Sequence, residues 1–551
     1  MTGTFDYIIV GAGSAGCVLA ARLSENASRR VLLLEAGGAD KGTLLDMPLR
    51  WFQAMRTPSL DWGFATEPEP YADNRRIPAP RGRVLGGCSS INGMMYSRGN
   101  RADYDEWARM GLEGWSFAEV LPYFRKSEAS WRGASEFHGA TGPLTVSRHR
   151  TDAYVYPRLI ATAQQLGYRH LEDFHGSEQE GFSAPDFNVH RGRRASTSQR
   201  YLLPALVRSN LTVATEAYAT RLLLEKGRAV GVQYEQQGAT QTAHADGEVI
   251  VSAGTFNSPQ LLLLSGVGPA DELKAVGINP LHDLPGVGRN LQDHASIGVV
   301  YDASGPFAFD RELRLDRMML SVLRWHLTGS GVVADLPVGA QGFVRTVEGL
   351  DRPDLQLLVS PVAMDARLWF PGWRRPRGHA FSVANVLLHP RSRGWVQLRS
   401  ADPRAKPLIQ LNLLKEEEDR AALRRYLKLT RRFFATQPAA GLISREVMPG
   451  DSVQTDAQLD AFIRSRVGTA MHPTSTCAMG VGPHAVLDSH LRVRGIDALR
   501  VVDCSSMPWV VGGNTNVPAI MLAEKAAELI AAAPSACDRE ADRALMAEGA
   551  R

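Results

Sequence analysis

The sequence predicts an α/β protein with two large domains. Its 551 residues are too many for one compact core. The chain opens with a buried strand, a glycine turn and a helix, the unit from which α/β domains are built. Between about 300 and 465 the pattern changes to longer amphipathic and alternating segments, such as RGWVQLRS and LRRYLKLTRRFFAT. The two patterns indicate two domains of different construction.

The opening unit, FDYIIVGAGSAGCVLAARLSE, predicts a Rossmann-like dinucleotide-binding domain. Gly11, Gly13 and Gly16 have the spacing G-x-G-x-x-G directly after the apolar strand. The first glycine permits the tight turn, the second lets the backbone approach a pyrophosphate, and the third lets the helix pack on the strand. Ser14 and Ala15 begin the helix, whose N terminus offers N–H groups and a positive dipole end to the phosphates.

A second strand, VLLLEAG, ends in Glu35 and Ala36. Glu35 lies 19 residues after Gly16, where an acidic residue binds the ribose of a dinucleotide. The segments SGVGPA (265–270) and PGVGRN (285–290) lack both the spacing and a preceding buried strand. The sequence therefore predicts one bound dinucleotide, and this motif alone leaves NAD and FAD open.

Composition argues against several classes of function. Hydrophobic residues make up 44% and charged residues 22%, and the net charge is +4, so a nucleic-acid partner is not implied. Five widely spaced cysteines without a C-x-x-C pair predict neither a disulfide framework nor a metal site. No stretch has the pattern of a secretory signal or a transmembrane segment. We expect a cytoplasmic protein, and a peripheral membrane contact stays open.

Further motifs stand in a fixed order along the chain. Two glycine-rich segments, RGRVLGGCSSINGMMYSRG (81–99) and GTFNSPQLLLLSGVG (254–268), resemble the two signatures of the glucose–methanol–choline (GMC) oxidoreductases. The resemblance includes the N-terminal glycine turn and spans nearly the whole chain. The other motifs that carry it are DWGFATEP (61–68), GVGRNLQDH (286–294), HPTSTCAMG (472–480), LRVVDCSSMP (499–508) and NTNVPAIMLAEKAAELI (514–530).

The resemblance implies FAD as the cofactor and a Rossmann-like FAD-binding domain assembled from discontinuous segments. It also implies a substrate domain with an antiparallel sheet flanked by helices. The predicted division assigns 1–155, 200–299 and 467–535 to the FAD-binding domain, 156–199 and 300–466 to the substrate domain, and 536–551 to a C-terminal tail.

Two residues are identified with the family's catalytic positions. His472 matches the catalytic histidine, and Asn516 matches the second position, which is histidine or asparagine in relatives. Histidine suits removal of a hydroxyl proton because its pKa lies near neutral pH, whereas an amide can only hydrogen-bond the oxygen. The resemblance therefore implies an acid/base role for His472 and a positioning role for Asn516. A helix cap before Pro518 is a compatible interpretation of Asn516.

The resemblance also implies which residues contact FAD. Glu35 is expected at the adenosine ribose, Ala219 at the adenine, and Asp503 near the ribityl and phosphate groups. The last helix is expected to point its N terminus at the pyrimidine ring, where a positive dipole end favours reduced flavin. The predicted cofactor contacts are Gly11, Gly13, Ser14, Ala15, Gly16, Glu35, Ala36, Arg83, Gly86, Asn92, Gly93, Met94, Ala219, Asp503, Cys504, Asn514, Asn516 and Val517.

Two departures from the family pattern are informative. Some relatives attach FAD covalently through a histidine just before the asparagine of the first signature, where this chain has Ile91, so we expect non-covalent FAD. Choline-specific relatives carry a glutamate for the trimethylammonium group in the segment that corresponds to 334–345. Asp335 is out of register with that glutamate, so choline is not the first expectation.

The function that follows is oxidation of a primary alcohol to the aldehyde, with electrons passing to a quinone, another carrier or O₂. The alternative is a cyanohydrin lyase of the same family, which works without net redox change. We expect a small-molecule alcohol as the partner, and a homodimer stays open. The identity of the alcohol does not follow from the sequence.

Overall fold

The computed structural model describes residues 3–363 and 365–532. The strands are β1 (Thr4–Val10), β2 (Val31–Leu34), β3 (Met95–Tyr96), β4 (Glu128–Ser130), β5 (Leu144–Arg148), β6 (Gly181–Ser183), β7 (Asp186–Phe187), β8 (Val189–His190), β9 (Arg193–Arg194), β10 (Leu211–Ala214), β11 (Tyr218–Glu225), β12 (Arg228–Gln236), β13 (Ala239–Val251), β14 (Val267–Gly268), β15 (His282–Asp283), β16 (Ala295–Ala303), β17 (Ala340–Val344), β18 (Leu355–Ser360), β19 (Ala380–Leu387), β20 (Trp395–Gln397), β21 (Leu408–Gln410), β22 (Ile443–Met448), β23 (Gly468–Thr469) and β24 (Leu499–Val501).

Helices pack against the sheets. They are α1 (Ser14–Leu23), α2 (Thr43–Asp46), α3 (Trp51–Met55), α4 (Arg101–Arg109), α5 (Phe117–Ser127), α6 (Val155–Gln165), α7 (Leu203–Ala205), α8 (Gly254–Leu264), α9 (Ala270–Ala275), α10 (Leu315–Thr328), α11 (Glu417–Ala435), α12 (Asp456–Arg466) and α13 (Asn516–Ala531). In the part of the chain that the structure describes, no helix is long and apolar enough to cross a membrane.

The first sheet has the order β10-β2-β1-β13-β12-β11, with β24 paired to β13. Strands β10, β2, β1, β13 and β24 run parallel, and β11 and β12 form an antiparallel extension. The parallel strands are apolar and buried at their carboxyl ends, where α1 packs on β1 and β2, and α13 packs on α1. This sheet joins segments from three separate parts of the chain, which confirms the predicted α/β class and the discontinuous Rossmann-like domain.

The second sheet has the order β22-β16-β19-β18-β17-β6, with β23 paired to β16, and all its pairs are antiparallel. Successive side chains of a strand point to opposite faces. In β18, Leu357 and Val359 therefore pack in the core with α11, whereas Gln356 and Leu358 face a large internal cavity. The second sheet thus supplies a wall of that cavity.

Two predicted domain boundaries differ from the strand pairing. The prediction divides the chain between residues 299 and 300, but β16 crosses this point and pairs wholly within the second sheet. The prediction also begins the last FAD-binding segment at 467, but β23 pairs with β16. Both differences arise from long-range pairing, which leaves no local signal in the sequence. The predicted tail at 536–551 lies outside the described residues.

The buried carboxylate of Asp103 connects α4 to the loop that precedes α13. Asp103 on α4 accepts hydrogen bonds from Gly512 N at 2.6 Å and Asn100 N at 2.8 Å, and it pairs with His389 Nε2 at 2.9 Å. Burial acts to raise the pKa of Asp103, but the charges of His389 and Arg352 bring that pKa below its usual value. The ionised carboxylate therefore holds the loop in place.

We expect Asp103→Asn to lower the free energy of unfolding by about 2 kcal/mol, because it removes a buried charged acceptor from the Gly512 and Asn100 N–H groups and from the half-buried Arg352. Thermal unfolding of the FAD-loaded protein measures this loss. Glu106→Gln, on the exposed side of the same helix, is the matched control and should leave the transition unchanged. An unaltered transition in Asp103→Asn would show that the contact does not stabilise the loop.

Candidate active site

The carboxyl ends of the parallel strands form one edge of the first sheet. Val10 lies level with Leu34 and with Val251, and Val251 lies level with Val501. The residues that follow these strand ends face a cavity of about 1240 Å³. The opposite wall of the cavity comes from the second sheet, so the cavity lies between the two domains.

The glycine turn after β1 has the geometry that its sequence predicts. Gly11 has φ +100°, a conformation that favours glycine, and a Cβ there would clash with the Ser252 carbonyl oxygen. A Cβ on Gly16 would overlap the Gly11 carbonyl oxygen, so this glycine permits close packing of α1 on β1. Gly11, Gly13, Ser14 and Ala15 line the cavity, and the N terminus of α1 faces it. The turn can therefore hold a pyrophosphate.

Glu35 stands beside this turn, as predicted. Its carboxylate accepts hydrogen bonds from Ala12 N at 2.9 Å and Gly37 N at 2.8 Å. Burial raises the pKa of Glu35 to about 7, although these two bonds act to lower it. Ala36 and Ala219 line the same end of the cavity. This end has room for a nucleoside, and the contact of Glu35 with its ribose stays a prediction.

In the glycine-rich segment after residue 80, some residues line the cavity and others hold the glycine turn from behind. Asn92, Gly93 and Met94 line the cavity, as predicted. Arg83 and Gly86 were predicted to contact the cofactor, but they stand behind the wall. Gly86 N donates to the Ala12 carbonyl at 2.7 Å, and Arg83 Nε donates to the Ala36 carbonyl at 3.3 Å. These two residues thus support the glycine turn and do not line the cavity.

Ile91 and Val517 also lie behind the cavity wall. Ile91 is buried in an apolar cluster with Leu45, Met55 and Val84. A hydrocarbon side chain in that position has no atom that can bond covalently to a flavin. Val517, the second residue of α13, has its side chain buried in the core, and its contact with a cofactor stays a prediction.

Asp503 and Cys504 line the cavity, but the Asp503 carboxylate is occupied by protein donors. One oxygen accepts from Gly254 N at 2.9 Å and Ser258 Oγ at 2.5 Å, and the other accepts from Ser505 N at 2.7 Å. Asp503 therefore holds the start of α8 against the end of β24. Its contact with a cofactor stays a prediction.

His472 lies where the two domains meet, in the loop after β23. Its backbone N–H donates to Asp293 Oδ1 at 2.8 Å, and its ring Nδ1 lies 3.0 Å from His294 Nδ1. The other ring nitrogen, Nε2, lies 3.1 Å from Asn514 Nδ2. The ring is therefore held at both nitrogen atoms.

The direction of these hydrogen bonds assigns the tautomer of His472. Gln356 Nε2 donates to Asn514 Oδ1 at 3.2 Å, which turns Asn514 Nδ2 toward His472 Nε2. Because the amide nitrogen is a donor, His472 Nε2 is the acceptor and its proton lies on Nδ1, shared with His294. The lone pair of His472 Nε2 is therefore directed at the Asn514 amide, and a substrate hydroxyl would reach this base nitrogen by displacing that contact.

The asparagine in contact with the His472 ring is not the one named by the sequence analysis, and the positioning role of Asn516 stays a prediction. The prediction paired His472 with Asn516, but the structure places Asn514 at its ring. Asn516 is the first residue of α13, and its Oδ1 accepts a 2.7 Å hydrogen bond from Ser14 Oγ. Both asparagines line the cavity, so Asn516 is placed to connect the N termini of α1 and α13 near the cofactor.

Three residues near His472 were missed by the sequence analysis: Arg81, Asp293 and His294. Burial lowers the pKa of His294 to about 3 and raises the pKa of Asp293 to about 6. Burial, together with the charges of His294 and Arg81, lowers the pKa of His472 well below its usual value. His472 is therefore neutral near pH 7. The motif GVGRNLQDH contains Asp293 and His294, so they could have been singled out by their chemistry.

Beyond His472 the cavity continues between apolar walls. Met95, Phe187, Leu336 and Leu358 belong to the residues that line this part. Among the described lining residues, the carboxylates are Glu35 and Asp503, both beside the first sheet. The nearby Asp335 is turned away, because its Oδ1 pairs with His149 Nδ1 at 3.0 Å. Among the residues that the structure describes, the outer cavity thus offers no carboxylate to a cation.

The residues fit FAD in both chemistry and size. The cavity exceeds the volume of a typical ligand site, which leaves room for a dinucleotide and a substrate together. The glycine turn and two helix N termini face the middle of it, and Glu35 faces one end. His472 and Asn514 face the other end, next to the apolar outer cavity.

Comparison with known proteins agrees with this fit. Two family models match the chain, and both are described as GMC oxidoreductase. One matches residues 5–296 and the other residues 390–523. The chain is 42% identical to the mitochondrial choline dehydrogenase of Homo sapiens over 97% of this chain and 91% of that one. It is also 42% identical to the oxygen-dependent choline dehydrogenase of Photobacterium profundum, over 96% and 93%.

Solved structures extend the similarity to the fold. Pyridoxine 4-oxidase from Mesorbium loti is similar with a TM-score of 0.84 and 31% identity, over 95% of this chain and 98% of that one. Formate oxidase of Aspergillus oryzae is similar with a TM-score of 0.89 and 28% identity, over 96% and 98%. The chain belongs to the GMC oxidoreductase family and is an FAD-dependent oxidoreductase.

Proposed function

We propose that the protein oxidises a primary alcohol with an uncharged, apolar body to the aldehyde. The observation that carries this proposal is the pair of His472 Nε2 and Asn514 Nδ2, a base nitrogen beside an N–H donor at the inner end of an apolar cavity. A substrate hydroxyl that replaces the hydrogen bond between them would donate to the imidazole and accept from the amide.

The roles of the protein groups follow from their contacts. FAD, when bound, supplies the acceptor for the hydride. His472 takes the hydroxyl proton at Nε2, and His294 holds the ring through Nδ1. Asn514 positions the oxygen, and Gln356 fixes the orientation of its amide. Asp293 fixes the backbone of His472, so the ring cannot withdraw from the cavity.

Choline is the second candidate, because relatives with 42% identity are named choline dehydrogenases. Aromatic residues such as Trp51 and Phe187 line the cavity and can attract a quaternary ammonium. The lack of a carboxylate in the described outer cavity favours the uncharged alcohol, since burial of an unpaired cation is costly. The lyase alternative has less support, because the relatives named above are dehydrogenases and oxidases.

We expect His472→Ala to slow flavin reduction by substrate about 100- to 10,000-fold, the usual contribution of a general base. Anaerobic stopped-flow absorbance measures the rate, and dithionite reduction checks that the flavin is bound and competent. Added imidazole should restore part of the rate if the proton is the lost function. His490→Ala, at an exposed histidine, is the control. A variant that is reduced as fast as the parent protein would rule out the assignment.

Alanine variants of Asn514 and Asn516 should have different effects on flavin reduction and flavin binding. We expect Asn514→Ala to slow reduction per bound flavin about 100-fold, because it removes one positioned donor. Asn516→Ala should lower flavin occupancy through loss of the Ser14 contact, with the rate per bound flavin nearly unchanged. The opposite pattern, a slow Asn516→Ala and a normal Asn514→Ala, would restore the sequence-based pairing of His472 with Asn516.

Choline and 3,3-dimethylbutan-1-ol test the charge of the substrate, because they share a shape and differ in one positive charge. We expect kcat/KM to favour the neutral alcohol by at least about tenfold, as burial of an unpaired charge costs more than 1.4 kcal/mol. Val338→Glu adds a carboxylate to the cavity wall and should move the ratio toward choline. A tenfold preference of the parent protein for choline would assign the second candidate.

A further inference from the structure

Helix α10 is apolar on both sides. Met318 and Trp325 face inward and are buried in an apolar cluster. On the outer side, Met319, Leu320, Leu323 and Leu327 are between 55% and 75% exposed. At 100° per residue these four side chains fall within an arc of about 100°. A stable helix that is apolar all round normally has something apolar on each side.

A second exposed apolar segment is joined to the start of this helix. Residues 370–376 are all exposed and include Phe370 and Trp373, the latter 59% exposed. The backbone of Trp369 exchanges hydrogen bonds with Leu313 and Leu315 at 3.2 and 2.9 Å. The two segments therefore form one surface, here called the mouth patch, which consists of Met319, Leu320, Leu323, Leu327, Phe370 and Trp373.

The mouth patch surrounds the outer end of the cavity. Leu313 just before α10 and Met318 and Val322 on its inner side line the cavity, and so do Arg367 and Leu368 of the second segment. Arg367 and Leu368 are themselves exposed, so the cavity reaches the surface at this point. Whatever covers the mouth patch therefore lies at the entrance to the active site.

Positive charge is concentrated around the same surface. Segments 311–328 and 365–377 contain eight arginines and three acidic residues, a net charge of +5 against +4 for the whole chain. Arg324, Arg374 and Arg375 are exposed among the apolar side chains. An isologous contact with a second copy would bring these like charges together. Exposed Leu, Trp and Phe with interspersed arginines match the interface of an anionic bilayer.

We propose that the mouth patch binds the surface of an anionic lipid bilayer. Helix α10 lies in the plane of the interface, with Leu320, Leu323 and Leu327 at the boundary of the acyl chains. The arginines contact the phosphate groups of the lipids. The cavity then opens toward the membrane, where apolar molecules concentrate. This binding does not depend on which alcohol is oxidised.

Vesicle flotation of the FAD-loaded full-length protein tests this proposal. We expect flotation with phosphatidylcholine vesicles that contain roughly 30% phosphatidylglycerol, because the anionic lipid gives the surface a negative potential that attracts basic segments. Binding should weaken at least about tenfold without the anionic lipid or in 0.5 M salt, because screening shortens the reach of the arginine charges. Failure of the parent protein to float would overturn the proposal.

Two variants and a matched control locate the contact. Leu320→Ser with Leu323→Ser, and separately Arg374→Glu with Arg375→Glu, should each reduce flotation at least about tenfold. Leu206→Ser with Val207→Ser changes exposed apolar residues elsewhere on the surface and should float as the parent does. The assignment would be overturned if the control pair lost flotation, or if the first two variants floated as well as the parent protein.

Further measurements distinguish a membrane from a second copy of the chain as the occupant of the mouth patch. They also test the membrane contact independently of the proposed catalysis. Sedimentation of the parent as a dimer that Leu320→Ser with Leu323→Ser converts to a monomer would mean that a second copy covers the patch, which overturns the proposal. Flavin absorbance and the oxidation rate of a short, water-soluble alcohol should be unchanged in this variant, since neither leucine lines the cavity. If no alcohol is oxidised but flotation follows the mouth patch, the function fails and the membrane contact stands.

Discussion

The parallel register of the first sheet is the constraint on which the cofactor site depends. Val10, Leu34, Val251 and Val501 end at one level, although they come from distant parts of the chain. The glycine turn, Glu35 and the Asp503 contact to α8 therefore meet at one edge. A slip of one residue in any pair would reverse its side chains and move its turn away from that edge. Ligands of open parallel sheets bind at this edge, where the connections diverge.

The second sheet positions His472, the proposed catalytic base, in a similar way. Ala295 at the start of β16 pairs with Thr469 in β23, so the residues just outside this pair are brought together across 178 positions. Ala470 N donates to the His294 carbonyl at 2.8 Å, which extends the pairing toward His472. The histidine pair is thus a consequence of strand pairing in the substrate domain. The base and the cofactor edge are held by different sheets, and their separation depends on how the two sheets pack.

Local motifs could be predicted from the sequence, and long-range partners could not. The close packing at Gly11 and Gly16 and the position of Glu35 beside the turn follow from spacing within one βαβ unit, and their contacts with a cofactor stay predictions. Asn514 and Asn516 are two residues apart in a turn, and only the backbone path decides which amide meets His472. Asp293 and His294 act through a partner that is far away in the sequence. The apolar arginine-rich segment 367–377 could equally have been core, entrance or interface until its exposure was known.

The neutral state of the two histidines connects the site to the charge of its substrate. Burial lowers the pKa of both rings, so a proton taken by His472 creates a charge in surroundings that resist it. The carboxylate of Asp293, close to the His472 backbone, is the nearby negative charge that can offset this cost. A permanent cation in the outer cavity would oppose the same proton transfer, because two like charges would share a medium of low dielectric constant. A site built for a cation would need a further carboxylate in its wall, whereas an uncharged alcohol needs only the base, the amide and the apolar walls that line the described cavity.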